Sequence, residues 1–301
     1  MLSVERISKS YGSLRAVDGL GFLARPGEIF GLIGPNGAGK TTTIRMIMNV
    51  IAPDEGTIRF GGESFTEAMK SGIGYLPEER GLYRKARVLE MLLYLAALKG
   101  TEKAASRASA EAWLERFGLS AWKNRRVEDL SKGMAQKVQF IGAVIHDPGL
   151  VLFDEPFAGL DPLSQDLLLD AMVELKRRGK TVLLSTHAMD NAERICDRIL
   201  LMRAGRELIA GTVAEVKARY GGHSVQVEFD GDASFVRALP CVEDVRAFPR
   251  WIEVTLREGA ASDELLAAIV GRIRVRRFEA MSPSLHKIFV DLVGAGEAGH
   301  E

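Results

Sequence analysis

The first third of the chain carries the alternating pattern of β-strands. Residues 2–8 and 14–23 alternate loosely between apolar and polar side chains around a turn at Tyr11-Gly12, which predicts an antiparallel pair. After a turn at residues 26–28, further short runs predict strands at residues 30–33, 57–60 and 71–76. We therefore expect a small antiparallel β-region beside the first strands of a larger sheet.

Helical spacing replaces this alternation from Val88 onward. Apolar side chains recur every three or four residues as far as Phe117, with a polar break at Gly100-Thr101. A further helix is predicted after Ser131. Together these segments predict a helical insert over about residues 85–145, placed between two parts of the sheet.

The next segment returns to strands. Two apolar runs, 150–153 and 181–185, have the length of buried parallel strands, and residues 163–178 between them predict a helix. Residues 199–202 and 207–209 predict a hairpin, and a helix over 212–220 ends at Gly221-Gly222. Because paired glycines interrupt regular structure, we place a domain boundary there.

Beyond the double glycine the pattern starts again. It predicts strand, helix, strand, strand, helix and strand at residues 224–229, 233–239, 242–248, 251–256, 262–270 and 272–278. This βαββαβ order is typical of ferredoxin-like α+β domains. With a last helix over 284–293, the expected division is a domain over 1–220, an accessory domain over 221–295 and a tail over 296–301.

Residues 30–49 hold the first chemical signal: an apolar run, a glycine-rich loop, then helical spacing. The run Gly34-x4-Gly39-Lys40-Thr41 fits the phosphate-binding P-loop, in which backbone N–H groups and a helix N-terminus hold anions. Lys40 can reach the terminal phosphates, and the Thr41 hydroxyl can ligate Mg²⁺. The expected nucleotide-binding residues are Gly34, Pro35, Asn36, Gly37, Ala38, Gly39, Lys40, Thr41 and Thr42.

A second signal lies where the apolar run 150–153 ends in Asp154-Glu155-Pro156. Ligands bind at the carboxyl ends of strands in parallel α/β sheets. Beside a P-loop, Asp154 is expected to hold Mg²⁺ and Glu155 to act as general base toward water. Without a P-loop, the same tripeptide is an ordinary end of a strand.

A third signal is Leu130-Ser131-Lys132-Gly133, just before a predicted helix. Ser131 and Gly133 at a helix N-terminus could bind an anion. Taken alone, Ser131 is better interpreted as an N-cap, since serine is common there.

The order of these segments resembles that of the ATP-binding cassette family over about residues 2–220. P-loop, Pro77-Glu78, Leu130 to Gly133, Asp154-Glu155, residues 159–161 and residues 185–187 follow one another as they do in that family. The resemblance implies a P-loop NTPase cassette of the α/β class, with a mixed core sheet, an antiparallel β-subdomain and a helical insert. Residues 221–295 resemble, more weakly, the accessory domain of exporter cassettes.

The resemblance also implies roles for single residues. Tyr11 matches the aromatic residue that stacks on adenine, and His187 matches the histidine that contacts the γ-phosphate and positions Glu155. Ser131 and Gly133 match the signature motif, which contacts ATP held on the opposite subunit. Asp161 matches the loop that couples the two sites.

Two departures from the family pattern concern the site. The signature reads LSKGM, where LSGGQ is commoner, so Met134 removes one polar contact. Glu78 stands where the family has Gln. Because a carboxylate can still ligate Mg²⁺ or a bound water, Glu78 is retained as a nucleotide and metal residue.

Composition limits the classes of partner. Lys plus Arg and Asp plus Glu both number 40, so the chain lacks the basic character of proteins that coat nucleic acid. The alternating arginines of residues 272–277 favour a half-solvated strand over a binding patch. Cys196 and Cys241 form no CxxC pair, which argues against a disulfide framework or a zinc site and suits a reducing compartment.

Membrane insertion is not expected. Residues 1–12 lack the apolar core of a signal peptide, and the longest apolar run, residues 91–98, is far shorter than the about 20 residues that span a bilayer. Any membrane role is therefore expected to act through a partner.

The resemblance implies the ATPase subunit of a membrane exporter, with ATP and Mg²⁺ as cofactors. The expected partners are a separate integral-membrane permease and a second nucleotide-binding subunit, in a homodimer or heterodimer, on the cytoplasmic face of the plasma (inner) membrane.

The alternative is a soluble cassette ATPase acting on ribosomes or DNA. Against it, the chain has one P-loop and shows no heptad run. A plain P-loop kinase would leave Leu130 to Gly133 unexplained.

Overall fold

The computed structural model describes residues 1–79, 81–220, 224–257, 259–281 and 283–297. The chain forms two compact units, the first running from Met1 to Val213 and the second beginning at Ala214. Within the described residues, no helix combines the length and apolar character needed to cross a bilayer.

The first unit contains ten strands and six α-helices within the described residues. The strands are β1 (Leu2–Tyr11), β2 (Leu14–Ala24), β3 (Glu28–Ile33), β4 (Glu55–Phe60), β5 (Glu63–Ser64), β6 (Ile73–Leu76), β7 (Leu150–Asp154), β8 (Thr181–Thr186), β9 (Arg198–Arg203) and β10 (Arg206–Thr212). The helices are α1 (Lys40–Ile47), α2 (Val88–Leu98), α3 (Lys103–Arg116), α4 (Lys132–Val144), α5 (Pro162–Arg177) and α6 (Met189–Ile195).

The larger sheet is mixed, with six strands in the order β10-β9-β3-β8-β7-β6. Every residue of β3, β7 and β8 is buried, as their apolar runs predict for central parallel strands. β3 and β7 both pair in parallel with β8, and the pairs Ile33↔Thr186 and Asp154↔Ser185 lie at their ends. The P-loop, Glu155 and His187 therefore emerge at the same edge of the sheet.

A second, antiparallel sheet has the order β2-β1-β4-β5. Its apolar side chains, including Leu2, Ile7 and Leu20, share one core with Phe30 and Leu32 of β3. This packing holds the β1–β2 hairpin, and with it Tyr11, beside the P-loop strand.

The helical insert comprises α2, α3 and α4 and lies between β6 and β7 in the chain. Phe140 of α4 stacks on Phe153 of β7 with ring centroids 4.9 Å apart, and Trp113 of α3 and Phe117, directly after α3, pack around Phe140. This aromatic cluster fixes the insert to the strand that ends at Asp154. The predicted fold class of the first unit is therefore confirmed.

Helix α7 (Val213–Arg219) begins at the last residue of the first unit and continues into the second. The second unit then contains β11 (Ser224–Asp230), β12 (Val242–Ala247), β13 (Trp251–Leu256), α8 (Ser262–Ile269), β14 (Arg274–Met281) and α9 (Leu285–Glu297). Its strands form an antiparallel sheet in the order β12-β13-β11-β14, which is the ferredoxin-like arrangement. The predicted helix at 233–239 is only a 3₁₀ turn, Ser234–Ala238, because five residues with Pro240 close behind allow no full α-helix.

Two predicted boundaries differ from the structure or fall outside it. Gly221-Gly222 lies outside the described residues, so a boundary there stays a prediction. α9 continues to Glu297, past the predicted end at residue 293 and into the first two residues of the expected tail. Residues 298–301 also lie outside the described residues.

Candidate functional site

A cavity of about 460 Å³ opens at the edge of the core sheet where β3 and β7 end. It is lined by Tyr11, Leu14, Arg15, Ala16, Asn36, Gly37, Ala38, Gly39, Lys40, Thr41, Thr42, Glu78, Glu155 and Ala204. Most of the predicted nucleotide-binding residues therefore share one concave surface. Gly34 and Pro35 do not line the cavity, but their carbonyl oxygens accept hydrogen bonds from Lys40, which does.

The loop between β3 and α1 depends on its glycines. Gly37 and Gly39 have φ values of 78° and 103°, in the left-handed region that favours glycine. A Cβ on Gly34 would lie 2.3 Å from the carbonyl oxygen of Met202, so the loop can pass there only as glycine. The first helical bond of α1 runs from Thr43 N–H to Gly39, which leaves the N–H groups of its first turn available to an anion.

Lys40 is the buried cation of the cavity. Its Nζ donates to the carbonyl oxygens of Gly34 at 2.7 Å and Pro35 at 3.1 Å. It also lies 3.3 Å from Oε1 of Glu155, and both side chains are less than one-tenth exposed. The loop thus carries a positive charge directly beside the N-terminus of α1, which suits a phosphate group.

Asp154 is fully buried at the end of β7. Its Oδ1 accepts a hydrogen bond from Ser185 Oγ at 2.6 Å. Burial raises the pKa of the Asp154 carboxyl, and the hydrogen bond from Ser185, together with the nearby Thr41 hydroxyl, acts against that rise. Oδ2 accepts no hydrogen bond from the residues that the structure describes. A buried carboxylate oxygen without a donor, next to a threonine hydroxyl, is a fitting ligand set for Mg²⁺.

Glu155 has a left-handed backbone, with φ of 48°, and its N–H donates to the carbonyl of Ser185 at 2.9 Å. Its Oε2 lies 2.9 Å from Nδ1 of His187 and accepts from Thr186 Oγ1 at 3.3 Å. Such unusual backbone geometry persists where surrounding contacts enforce it, often at reactive sites. The carboxylate is therefore held in one orientation at the wall of the cavity.

Tyr11 and Leu14 form the apolar wall. They pair directly across the turn between β1 and β2, and they are 49% and 66% exposed. An exposed aromatic ring beside an aliphatic side chain suits the flat face of a nucleobase. Leu14, Arg15, Ala16 and Ala204 were not predicted as site residues, although hairpin pairing with Tyr11 was a signal for Leu14.

Glu78 is exposed and lines the cavity two residues beyond β6. Its carboxylate therefore lies on the same concave surface as Thr41 and Glu155. This position fits the predicted contact with nucleotide or metal, which stays a prediction.

Ser131, Gly133 and Asp161 do not line this cavity. Ser131 caps α4 by accepting from Met134 N–H at 3.2 Å. Asp161 caps α5 by accepting from the Ser164 N–H at 2.9 Å and hydroxyl at 2.7 Å, and these bonds lower the pKa of Asp161. One chain thus brings together the phosphate loop and the carboxylates but leaves these three residues elsewhere.

Models of two protein families match the chain. The family described as "ABC transporter" matches residues 17–158, and the family described as "ATP-binding protein DrrA1-3-like, C-terminal domain" matches residues 211–293. The second match covers most of the unit that the sequence likened to exporter accessory domains.

Several curated proteins are similar over nearly the whole chain. The ABC transporter ATP-binding protein YhaQ of Bacillus subtilis is 40% identical over 98% of this chain and 99% of its own length. The linearmycin resistance ATP-binding protein LnrL of the same organism is 32% identical, over 98% of each chain. The Nod factor export ATP-binding protein I of Rhizobium etli is 34% identical over 96% of this chain and 92% of its own length.

Solved structures agree in fold. An ATP-binding subunit of an ABC transporter has a TM-score of 0.68 and 34% identity, covering 73% of this chain and 93% of that one. CbiO1 from Clostridium perfringens, part of the ABC transporter complex cbiONQ, has a TM-score of 0.65 and 25% identity, covering 73% and 91%. These likenesses confirm the resemblance drawn from the sequence. The chain therefore belongs to the ATP-binding proteins of ABC transporters and is an ATP-hydrolysing transporter subunit.

Proposed function

We propose that this chain hydrolyses Mg²⁺-ATP to drive export through a separate membrane permease, acting as one of two nucleotide-binding subunits. The observation that carries the proposal is that the phosphate loop, the buried Lys40 and Glu155 converge on one cavity, with Asp154 buried directly before Glu155, while Ser131 and Gly133 lie outside the cavity. Similarity to proteins named for Nod factor export and linearmycin resistance favours export.

Binding of the triphosphate rests on the loop. The glycine-shaped backbone and the first turn of α1 offer N–H donors, and Lys40 offers a cation 2.7 Å from the loop carbonyl of Gly34. Asn36, Gly37 and Gly39 line the cavity, and the adenine ring of ATP stacks on Tyr11. Mg²⁺, when bound, would neutralise phosphate charge, with Asp154, Thr41 and Glu78 as the residues that hold it.

Proton transfer rests on Glu155. The carboxylate lies at the cavity wall with Oε2 fixed by His187 and Thr186, so it can accept a proton from a water directed at the γ-phosphate. His187 Nδ1 holds the base, and its exposed ring is free to contact the phosphate. The protein supplies position and charge, and the phosphoryl group departs in line.

A second subunit completes the site. Ser131 and Gly133 lie at the N-terminus of the 13-residue helix α4, whose dipole favours an anion. Since they do not face the cavity of their own chain, we assign them to the γ-phosphate of the neighbouring subunit. Asp161, at the N-terminus of α5, then links the two sites. Either an identical chain or a paralogue can serve as the second subunit.

The permease is assigned to the helical insert. Tyr83, Tyr94 and Leu98 are 63%, 47% and 64% exposed, and the two tyrosine rings lie 6.0 Å apart. A mainly apolar cavity of about 300 Å³, lined by Leu98, Met91 and other residues, adjoins them. Exposed apolar groups that cluster in this way mark protein-contact surfaces. The chain would then sit peripherally on the cytoplasmic face of the membrane.

Copurification tests the proposal. The tagged chain is coexpressed with the membrane protein encoded beside its gene, solubilised in detergent and assayed for ATP hydrolysis with and without candidate export substrates. We expect a stable complex whose hydrolysis rises with transported substrate. Association with ribosomes or DNA, and no membrane protein in the complex, would favour the alternative of a soluble cassette ATPase instead.

A further inference from the structure

The last two residues of β8 donate hydroxyl hydrogen bonds to two successive carboxylates, Asp154 at the end of β7 and Glu155 directly after it. Ser185 donates to Asp154 at 2.6 Å, and Thr186 donates to Glu155 at 3.3 Å. The parallel pairing of the strands, which sets Asp154 opposite Ser185, produces this arrangement. Both hydroxyl residues are fully buried. The oxygen that accepts from Thr186, Oε2 of Glu155, also lies 2.9 Å from Nδ1 of His187.

We infer that Thr186 is a positioning residue for the general base, an inference that rests on the proposed role of Glu155. Thr186 Oγ1 accepts a hydrogen bond from Ala188 N–H at 3.0 Å. That contact uses a lone pair, so the single hydroxyl proton is left for Oε2 of Glu155. The direction of the proton is therefore fixed by the backbone of the residue that follows His187.

The two carboxylate oxygens of Glu155 have different partners, which gives them different roles. Oε2 is anchored by Thr186 and His187, whereas Oε1 accepts no hydrogen bond from the described residues and lies 3.3 Å from Lys40 Nζ. When Lys40 turns to phosphate, Oε1 is the oxygen left to accept a proton from water. Thr186 thus determines which oxygen acts as base.

Thr186 also connects this base to the phosphate loop. It pairs with Ile33 at the end of β3, and its carbonyl accepts from Gly34 N–H at 3.3 Å. The side chain and the carbonyl of one buried residue therefore set the position of Glu155 relative to the first glycine of the loop. His187 is 57% exposed at its side chain, so Thr186 is the more rigid of the two anchors.

The test compares four variants of the full chain. Thr186→Val replaces the hydroxyl with a methyl group of similar size, and Thr186→Ser keeps the hydroxyl. Thr186→Ala removes both the hydroxyl and the γ-methyl group. Thr181→Val is the matched control, since Thr181 is a buried threonine at the other end of the same strand. The measurements are kcat and KM for ATP hydrolysis, affinity for a fluorescent ATP analogue, and the midpoint of thermal unfolding.

We expect Thr186→Val and Thr186→Ala to lower kcat by about 10-fold or more, as loss of an orienting hydrogen bond does elsewhere, with KM and nucleotide affinity changed by less than about twofold. Thr186→Ser and Thr181→Val should retain kcat within about threefold of the unmodified chain. Rescue by serine identifies the hydroxyl as the functional group, because a purely structural role would lower nucleotide affinity and thermal stability as well.

The inference is overturned if Thr186→Val turns over as fast as Thr181→Val, or if Thr186→Ser is as slow as Thr186→Val. Glu155→Gln, assayed beside them, separates this inference from the proposed function. If Glu155→Gln is active, Glu155 is not the general base. If Glu155→Gln is inactive and Thr186→Val is fully active, Glu155 is still the general base, but Thr186 does not position it.

Discussion

Nζ of Lys40 lies 3.3 Å from Oε1 of Glu155, and both groups are buried. The cation of the phosphate loop and the carboxylate assigned as base thus neutralise each other across the cavity. We propose that a bound triphosphate competes with Glu155 for Lys40 and so frees the carboxylate for a water molecule. In this proposal, the ion pair couples nucleotide binding to activation of the general base.

Glu155→Gln should abolish turnover while ATP still binds. The amide keeps the size of the side chain but cannot accept a proton, so hydrolysis should fall roughly 100-fold or more. The variant should accumulate as an ATP-bound dimer in size-exclusion chromatography. Glu63→Gln, at an exposed position on β5, is the control and should behave as the unmodified chain. Hydrolysis by Glu155→Gln near the unmodified rate would contradict the assignment.

Ser131→Arg should block hydrolysis without blocking nucleotide binding. Ser131 is exposed at the N-terminus of α4, so a large cation there obstructs only the face offered to a second subunit. Ser120→Arg, also exposed within the helical insert, serves as the control.

A mixing experiment tests the shared site directly. Ser131→Arg and Glu155→Gln are each inactive alone, but a mixed dimer contains one composite site with both native residues. Since random pairing makes half of the dimers mixed, up to about a quarter of the unmodified activity should return. If mixing restores no activity, a site shared between two identical chains is wrong.

Tyr11→Ala should weaken ATP binding by about 10-fold, because stacking on a nucleobase contributes on the order of 1–3 kcal/mol. Tyr11→Phe should bind normally, since the ring and not the hydroxyl forms the wall. Tyr83→Ala, which removes an exposed tyrosine that does not line the cavity, is the control for isolated nucleotide binding. Equal ATP affinities for Tyr11→Ala and Tyr83→Ala would exclude a contact between Tyr11 and the nucleobase.

Stability should fall between about pH 6.5 and pH 4 because of His146. Burial, with Lys99 nearby, lowers the pKa of His146 from 6.5 to about 4, while Nε2 lies 3.3 Å from the carbonyl of Ile73. The unfolded chain then binds a proton that the folded chain excludes, so the folded state is favoured above pH 6.5 and loses that advantage as pH falls.

His146→Gln should make the thermal midpoint less sensitive to this acidification. The comparison is the difference in midpoint between pH 7.5 and pH 5 for each protein. His286→Gln, at an exposed position of α9, is the control and should leave the difference unchanged. An identical difference in His146→Gln and the unmodified chain would show that another group is responsible.

Leu98→Ser together with Tyr94→Ser should reduce copurification with the permease. These side chains are exposed on α2, so their loss should not disturb folding, and hydrolysis by the isolated chain should stay within about twofold. Val270→Ser, at an apolar residue 60% exposed in the second unit, is the control. Full copurification of the double variant would place the permease on another surface.

The sequence by itself determined most of the core fold. Residues 150–153 and 182–184 carry only apolar side chains over the length of a short strand, which predicts central strands of a covered sheet. The glycine spacing of residues 34–39 likewise predicts a loop whose backbone conformation requires glycine. The helix predicted at 233–239 is a 3₁₀ turn in the structure, because so short a segment, closed by Pro240, has no room for a full α-helix.

Tertiary structure decided how the site is assembled. Sequence order placed Asp154-Glu155 and Ser185-Thr186 near strand ends, but only the register of β7 on β8 sets each hydroxyl against its carboxylate. Hairpin pairing brought Leu14 beside Tyr11. The N-caps at Ser131 and Asp161 are local hydrogen bonds, but only the packing of distant segments decides that neither residue lines the cavity of its own chain.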